Sequence, residues 1–368
     1  MKKPRLAWLV SGLGAVERGA EGIALNLARH LRRQFDITLF GQGCVNGEVS
    51  RLWALSRDRW VAVKAFEALS PSLRTLVRRL HLTPVEIEML TFSLSAFGSL
   101  WKGRFDGHLL ATGVWGSRLA RIFRILRGVP FIYVGHGGYS GELPHAKERP
   151  DLHIFVNRTV MQEVEKAVPS LRAVFIPNGV DLERFAPRPS NISWELERPI
   201  YLAVGALVRE KSLDLAIRAV AALPKGSLVL VGRGAEEGKL RMLGETLLGT
   251  KRFLLTAVPF AAMPDLYNAC DVFTLPTLKE PFGLVYLEAM ACGKPVVGHR
   301  DQSRELIVGQ AGILCCCHEI NDYAAALARA AQGEIGEDPR KQAERFDIRE
   351  IAQQYADVIQ EVLENRSR

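Results

Sequence analysis

The chain has 368 residues, 48% hydrophobic and 24% charged, which exceeds one ordinary core and predicts two domains. Its 32 Gly and 18 Pro are scattered without a period, excluding collagen-like and disordered classes. The net charge of +8 is uneven: residues 1–180 hold 25 Lys+Arg against 14 Asp+Glu (+11), and residues 181–368 hold 23 against 26 (−3). That asymmetry points the first half toward an anionic partner.

The basic start, with Lys2, Lys3 and Arg5, precedes the apolar run Leu6–Val10, which is too short for a secretory core and reads as a first buried strand. Further strands are expected at Ile37–Phe40, Trp60–Val63, His108–Ala111, Phe131–Val134 and His153–Val156. Ile23–Leu31 reads as a helix. Arg118–Arg127 does too, with Leu119, Ile122, Phe123 and Leu126 as its apolar stripe and Gly128 and Pro130 as its stop. Residues 70–101 interrupt the alternation with two extra helices. In the first, Leu73, Leu76, Val77 and Leu80 face away from Arg74, Arg78 and Arg79. The second opens on the capping-box string Thr83-Pro84-Val85-Glu86. The longest uncharged stretch, Met89 to Trp101, falls short of a bilayer span.

The second half repeats the rhythm, with strands at Ile200–Val204, Ser227–Val231, Phe253–Leu255, Val272–Leu275, Pro295–Val297 and Gly312–Leu314. Strand–helix alternation over this length predicts two doubly wound parallel sheets. Pro187 to Asn191 reads as a linker. Ile348, Ile351, Ala352, Tyr355, Ile359 and Val362 stripe a last helix that no strand follows, as expected of a helix packing across a domain boundary.

Six cysteines, three of them consecutive (Cys315 to Cys317), do not resemble a disulfide framework and suit the reducing cytosol. Neighbouring extended residues point to opposite faces, so Cys315–Cys317 with His318 makes a poor metal set. No Asp-x-Asp occurs, which argues against one metal-dependent class of sugar transferases.

Ligands of doubly wound sheets bind beyond the strand C-termini, near helix N-termini. The loop after the first strand, Ser11 to Glu21, carries Gly12, Gly14 and Gly19 without a strict dinucleotide spacing; Gly12 and Gly14 read as turn glycines. The string from Thr277 to Val297 follows a strand and opens a helix expected at Phe282–Ala291. Glu280 lies at that helix N-terminus and Glu288 slightly over two turns on, so both can face one cleft and accept hydroxyls. Alone, the pair reads sooner as one capping and one solvated glutamate than as a site; alone, Lys211 is a surface lysine and His136 a buried one.

As a whole, the Glu280–Val297 string resembles the signature of the retaining, nucleotide-sugar-dependent GT-B glycosyltransferases of the large family four. Ile176-Pro177-Asn178-Gly179-Val180-Asp181, Val204 to Asp214, Val231-Gly232-Arg233-Gly234 and Tyr133-Val134-Gly135-His136-Gly137 resemble four more of its motifs, in family order. The resemblance implies two Rossmann-like domains facing across a cleft. One is an acceptor-binding domain at 1–180, joined by a crossing helix at 348–368; the other is a nucleotide-sugar domain at 181–347.

It also implies roles. Glu280 would hold donor-sugar hydroxyls, with Phe282, Gly283 and Leu284 completing the pocket through backbone groups. Glu288 would hold the ribose and Lys211 the diphosphate. Gly19 would offer an N–H to phosphate, and His136 would lie beside the sugar. Ala206 stands where many relatives have arginine, so either Arg209 compensates or Lys211 acts with less help. Arg18-Gly19 replaces a common glycine pair, and Arg18 either crowds the site or meets an anionic acceptor.

The implied reaction needs no metal and no cofactor. A nucleotide diphosphate sugar, UDP ahead of GDP, would donate to a glycan or lipid-linked acceptor of the cell envelope. The protein would be cytoplasmic, its basic first domain docked on an anionic membrane through Arg74, Arg78, Arg79 and Trp101. Nucleic acid is excluded as a partner for want of a binding motif. The competing readings are a nucleotide-sugar-binding protein without catalysis and a nucleotide-sugar epimerase.

Overall fold

A computed structural model describes residues 2–15, 19–45, 47–55, 68–79, 82–278 and 280–365, without the side chains of Arg78 and Arg79. The strand expected at Trp60–Val63, and Arg18, Leu80 and those two arginine side chains, lie outside the described residues. The chain forms two compact units: residues up to Pro177 with those from Ala352 onward, and Asn178–Ile351.

The first unit is built on a parallel sheet of β1 (Arg5–Val10), β2 (Asp36–Gly41), β3 (Val49–Arg51), β4 (Gly107–Ala111), β5 (Phe131–Gly135), β6 (Leu152–Phe155) and β7 (Ala173–Phe175). Their spatial order is β3-β2-β1-β4-β5-β6-β7. The order reverses between β1 and β4, which pair with Leu9 opposite Leu110. Its helices are α1 (Gly19–Leu31), α2 (Pro71–Arg79), α3 (Pro84–Gly103), α4 (Val114–Arg127), α5 (Tyr139–Lys147) and α6 (Arg158–Ala167).

In the second unit β8 (Ile200–Val204), β9 (Ser227–Val231), β10 (Phe253–Thr256), β11 (Val272–Leu275), β12 (Val296–His299) and β13 (Gly312–Cys315) run parallel in the order β10-β9-β8-β11-β12-β13. Between them lie α7 (Leu213–Ala221), α8 (Glu237–Leu248), α9 (Met263–Ala269), α10 (Leu284–Ala291), α11 (Gln302–Val308), α12 (Ile320–Ala331) and α13 (Pro339–Glu344). Both central strand sets are continuous apolar runs because helices cover both faces; Leu228, Val229, Leu230 and Val231 are all buried. These are the two doubly wound sheets that the alternation predicts.

The last helix, α14 (Ile348–Asn365), starts in the second unit and ends in the first. Its stripe of Ile348, Ile351, Ala352, Tyr355, Ile359 and Val362 is buried as read. In the first unit Gln353 accepts from Gln34 at 2.9 Å, and Glu361 pairs with Arg172 at 2.6 Å. The Thr83–Glu86 capping box is present at the start of α3.

Several local expectations change. On α4, Leu119 and Phe123 are buried, but Ile122 and Leu126 are exposed. The buried face instead carries the small residues Gly116, Ser117 and Ala120. A side chain on Gly116 would meet the Thr112 methyl at 2.2 Å. The segment read as a linker is pinned within the second unit: Arg188 N–H donates to Asn268 at 3.0 Å, and Ser190 Oγ to the Asp265 carbonyl at 2.8 Å. The strands β3 and β7 were not expected. The Cys315 and Cys317 sulfurs share one face, 4.0 Å apart, with Cys316 exposed.

Candidate functional site

In the second unit the strand order reverses between β8 and β11, where Tyr201 pairs with Val272. Loops leaving the C-termini of two strands that flank such a reversal diverge and leave a crevice for a ligand. The β8 loop bears Ala206, Arg209 and Lys211; the β11 loop bears Glu280, Phe282 and Gly283.

The β8 loop is fixed against the loop after β9. Leu207 N–H donates to the Arg233 carbonyl at 2.9 Å, and a side chain on Gly232 would strike the Gly205 oxygen at 1.9 Å. Glycine at 232 is therefore required by close backbone approach. A 3₁₀ turn at Arg209–Lys211 follows and closes on Ser212 in the left-handed conformation. It presents the Lys211 side chain, whose ammonium donates to the Glu280 carboxylate in a half-buried ion pair. Ala206 and Arg209 are exposed on the same loop.

The β11 loop is held from below. Thr277 Oγ donates to the Lys211 carbonyl at 3.4 Å. Arg304, fully buried on α11, donates to the Thr277 carbonyl, to Asp301 and, at 2.9 Å, to the His299 carbonyl. Neither Thr277 as a tie nor Arg304 as a strut was expected, since an isolated arginine in a helical string reads as solvated. Gly283 takes φ +93° and a side chain there would meet the Tyr286 ring at 2.7 Å, so α10 starts at Leu284, two residues later than expected. Phe282 is buried against Phe346.

Glu288, on α10, is buried and accepts from the Tyr267 hydroxyl at 2.6 Å. Burial raises its pKa above the usual carboxylate range, and the Tyr267 bond and Arg184 oppose that rise. Burial and the Glu288 charge push the Tyr267 phenol upward in turn. The unit thus combines a lysine, a carboxylate at a helix N-terminus, and a buried carboxylate–phenol pair. Cation and N-terminus suit an anion; the carboxylates suit hydroxyl groups.

In the first unit, the turn after β1 has Gly14 at φ +77°, where a side chain would strike Gly43 at 2.5 Å, in keeping with a turn glycine. Gly19 is the first residue of α1. His136 follows β5 directly. Both its ring nitrogens are shielded and have no partner among the described residues. Burial lowers its pKa below the ordinary histidine value, against the opposing pull of Glu142. A neutral imidazole there can donate one hydrogen bond and accept another.

Comparison with known proteins accords with this geometry. The family model described as glycosyl transferases group 1 matches residues 189–349. A D-inositol 3-phosphate glycosyltransferase of Arthrobacter sp. (strain FB24) is 30% identical over 289 residues, 66% of this chain and 68% of that protein. A GDP-mannose-dependent alpha-(1-6)-phosphatidylinositol monomannoside mannosyltransferase of Mycolicibacterium smegmatis is 29% identical over 52% of this chain and 55% of its own length. Among solved structures, sucrose-phosphate synthase from Thermosynechococcus elongatus matches with a TM-score of 0.78, over 99% of this chain and 100% of that one, at 19% identity. That likeness is one of fold, and the fold of two parallel doubly wound sheets with a shared last helix is GT-B. The chain belongs to the group 1 glycosyltransferases.

Proposed function

We propose that the protein is a retaining, metal-independent family-four glycosyltransferase. It would move a hexosyl group from a nucleotide diphosphate sugar to a glycan or lipid-linked acceptor in cell-envelope synthesis. The observation that supports this most is the Lys211–Glu280 pair at the strand reversal, beside the N-terminus of α10. An incoming diphosphate competes for the Lys211 ammonium, and its sugar hydroxyls compete for the Glu280 carboxylate, so the donor exchanges one internal ion pair for two contacts of its own.

As the glycosidic bond to the diphosphate breaks, negative charge grows on the leaving oxygen. Lys211 and the α10 N-terminus stabilise that charge more in the transition state than in the ground state. Attack comes from the same face, and a donor phosphate oxygen takes the acceptor's proton. Arg209 supplies a second cation on the loop that carries Ala206. The backbone of Phe282, Gly283 and Leu284 lines the sugar, while Gly19 offers an N–H to phosphate. Glu288, held by Tyr267, accepts from ribose hydroxyls. His136, neutral at pH 7, hydrogen-bonds the sugar.

UDP is proposed ahead of GDP as the donor nucleotide, although the mannosyltransferase relative is GDP-mannose-dependent by name. A thermal-shift panel of UDP-glucose, GDP-mannose and the free nucleotides tests this, because a ligand bound only by the folded state raises the melting temperature. NMR of the product's anomeric centre tests retention; an inverted product would reject that mechanism.

We also propose that the first unit docks on an anionic membrane surface. Leu73 and Leu76 of α2 are half-exposed, and so is Trp101, whose ring stacks on Phe97 and lies under the Arg127 guanidinium at 3.7 Å. The exposed apolar residues extend to Ile125 and Leu126 of α4, 73% and 63% exposed, on the helix that carries Arg124 and Arg127. Among the described residues no helix is long and apolar enough to cross a membrane.

A further inference from the structure

Glycines flank His136 in the loop Gly135-His136-Gly137-Gly138, and the structure gives two of them a cause. Glu142, in the first turns of α5, is 2% exposed and turns its carboxylate back onto the loop. Its Oε1 accepts from Gly137 N–H at 2.6 Å, and its Oε2 pairs with His153 Nε2 at 2.8 Å. A side chain on Gly135 would stand 2.1 Å from Oε2, and one on Gly137 would stand 2.9 Å from Oε1. Glycine is needed at both positions because a carboxylate fills the space.

His153 is equally fixed. It is fully buried on β6, its ring stacks on Phe155 at 3.9 Å, and its Nδ1 has no partner among the described residues. Its Nε2 is the ring nitrogen that faces the Glu142 carboxylate. A buried carboxylate is stable only with its lone pairs occupied. Here the Gly137 N–H and His153 Nε2 are its partners. His136 lies between the two glycines and has no hydrogen bond of its own to orient it.

We propose that Glu142 is a positioning residue for His136. Through Gly137 N–H it sets the turn that aims the imidazole, and His153 holds the carboxylate in place. The inference rests on the reading of His136 as a donor-sugar contact. Misplacing a contact of this kind by about 1 Å costs as much as about 100-fold in turnover.

The test is a double-mutant cycle on Glu142→Ala and His136→Ala, measured as kcat and KM for hydrolysis of UDP-glucose or GDP-mannose, whichever the wild type turns over. Glu142→Ala alone should lower kcat about 10- to 100-fold with a smaller change in KM. In the His136→Ala background it should cost no more than about twofold, because the group it positions is gone. Glu142→Gln, which can still accept from Gly137 N–H, should recover most of kcat and keeps the test valid if the alanine variant fails to fold. Independent, multiplicative losses in the double variant would overturn the inference and leave the His136 reading intact. So would a wild-type kcat in folded Glu142→Ala. A wild-type kcat in His136→Ala alone would overturn both.

Discussion

The Lys211 ammonium and the Glu280 carboxylate are paired between loops that leave neighbouring strands, 69 residues apart in sequence. The two groups were read as contacts to opposite ends of a donor, diphosphate and sugar. In this structure each satisfies the other, which keeps two half-buried charges compensated. Lys211→Ala and Glu280→Ala should each lower sugar transfer by about 100- to 1,000-fold. Far-ultraviolet circular dichroism should stay unchanged, because the β8 loop is also held by Leu207 N–H on the Arg233 carbonyl and the β11 loop by Arg304 on the Thr277 carbonyl. Wild-type turnover in either folded variant would remove the site assignment.

The Glu288 carboxylate accepts a hydrogen bond from the Tyr267 hydroxyl at 2.6 Å. Tyr267→Phe leaves the buried carboxylate without that donor, a loss of about 1–3 kcal/mol. Calorimetric titration with UDP or GDP should therefore show nucleotide binding weakened by about 5- to 150-fold. Unchanged affinity in the variant would place the ribose elsewhere.

Activity should survive chelation. Dialysis against EDTA, followed by assay with and without added Mg²⁺ or Mn²⁺, should give equal rates, since the proposed mechanism assigns the leaving group's charge to Lys211 and the α10 N-terminus. A strict requirement for added divalent cation would contradict the mechanism.

His108 should make the fold acid-sensitive. It is buried on β4 between Phe105 and Phe123, and burial lowers its pKa from 6.5 to about 4. The unfolded chain therefore binds the proton more readily. The stability this group contributes is fully present above pH 6.5 and is lost as pH falls from 6.5 toward about 4. The full shift corresponds to about 3 kcal/mol. Urea unfolding at pH 7.5 and pH 4.5 should show a smaller acid loss in His108→Phe, by about 2–3 kcal/mol. Parallel losses in the two proteins would show that His108 titrates normally.

Membrane docking is tested by co-sedimentation with phosphatidylglycerol vesicles. Each basic residue near an anionic surface contributes about 1 kcal/mol, so weak, salt-sensitive attachment is expected. Ile125→Glu with Leu126→Glu should reduce the bound fraction without unfolding the protein, because both side chains are exposed. Equal recovery in the supernatant with neutral and anionic vesicles at low salt would reject the surface.

The sheets were legible because buried parallel strands are unbroken apolar runs, as at Leu228–Val231 and Leu6–Val10. The edge strands β3, Val49-Ser50-Arg51, and β7, Ala173-Val174-Phe175, were not, since three residues carry too little pattern. The α4 stripe misled because periodicity finds large apolar residues, whereas close packing selected Gly116, Ser117 and Ala120. At the site, Glu280 and Lys211 stand in a recognisable string. Arg304, Tyr267 and Glu142 do not, because their importance comes from partners 5 to 27 residues away that only folding brings within reach.

The passage of α14 from one unit into the other makes synthesis and folding keep different orders. The first unit comprises residues up to Pro177 and those from Ala352 on, so its hydrophobic seat for Tyr355, Ile359 and Val362 stands open while the whole second unit is translated. At about 5–20 residues per second, that interval lasts on the order of 10–35 s. A nascent chain ending anywhere before the helix carries this uncovered groove, where a chaperone or a second nascent chain can bind. Expressing residues 1–177 alone should reproduce that state, and a separate 348–365 peptide should close it.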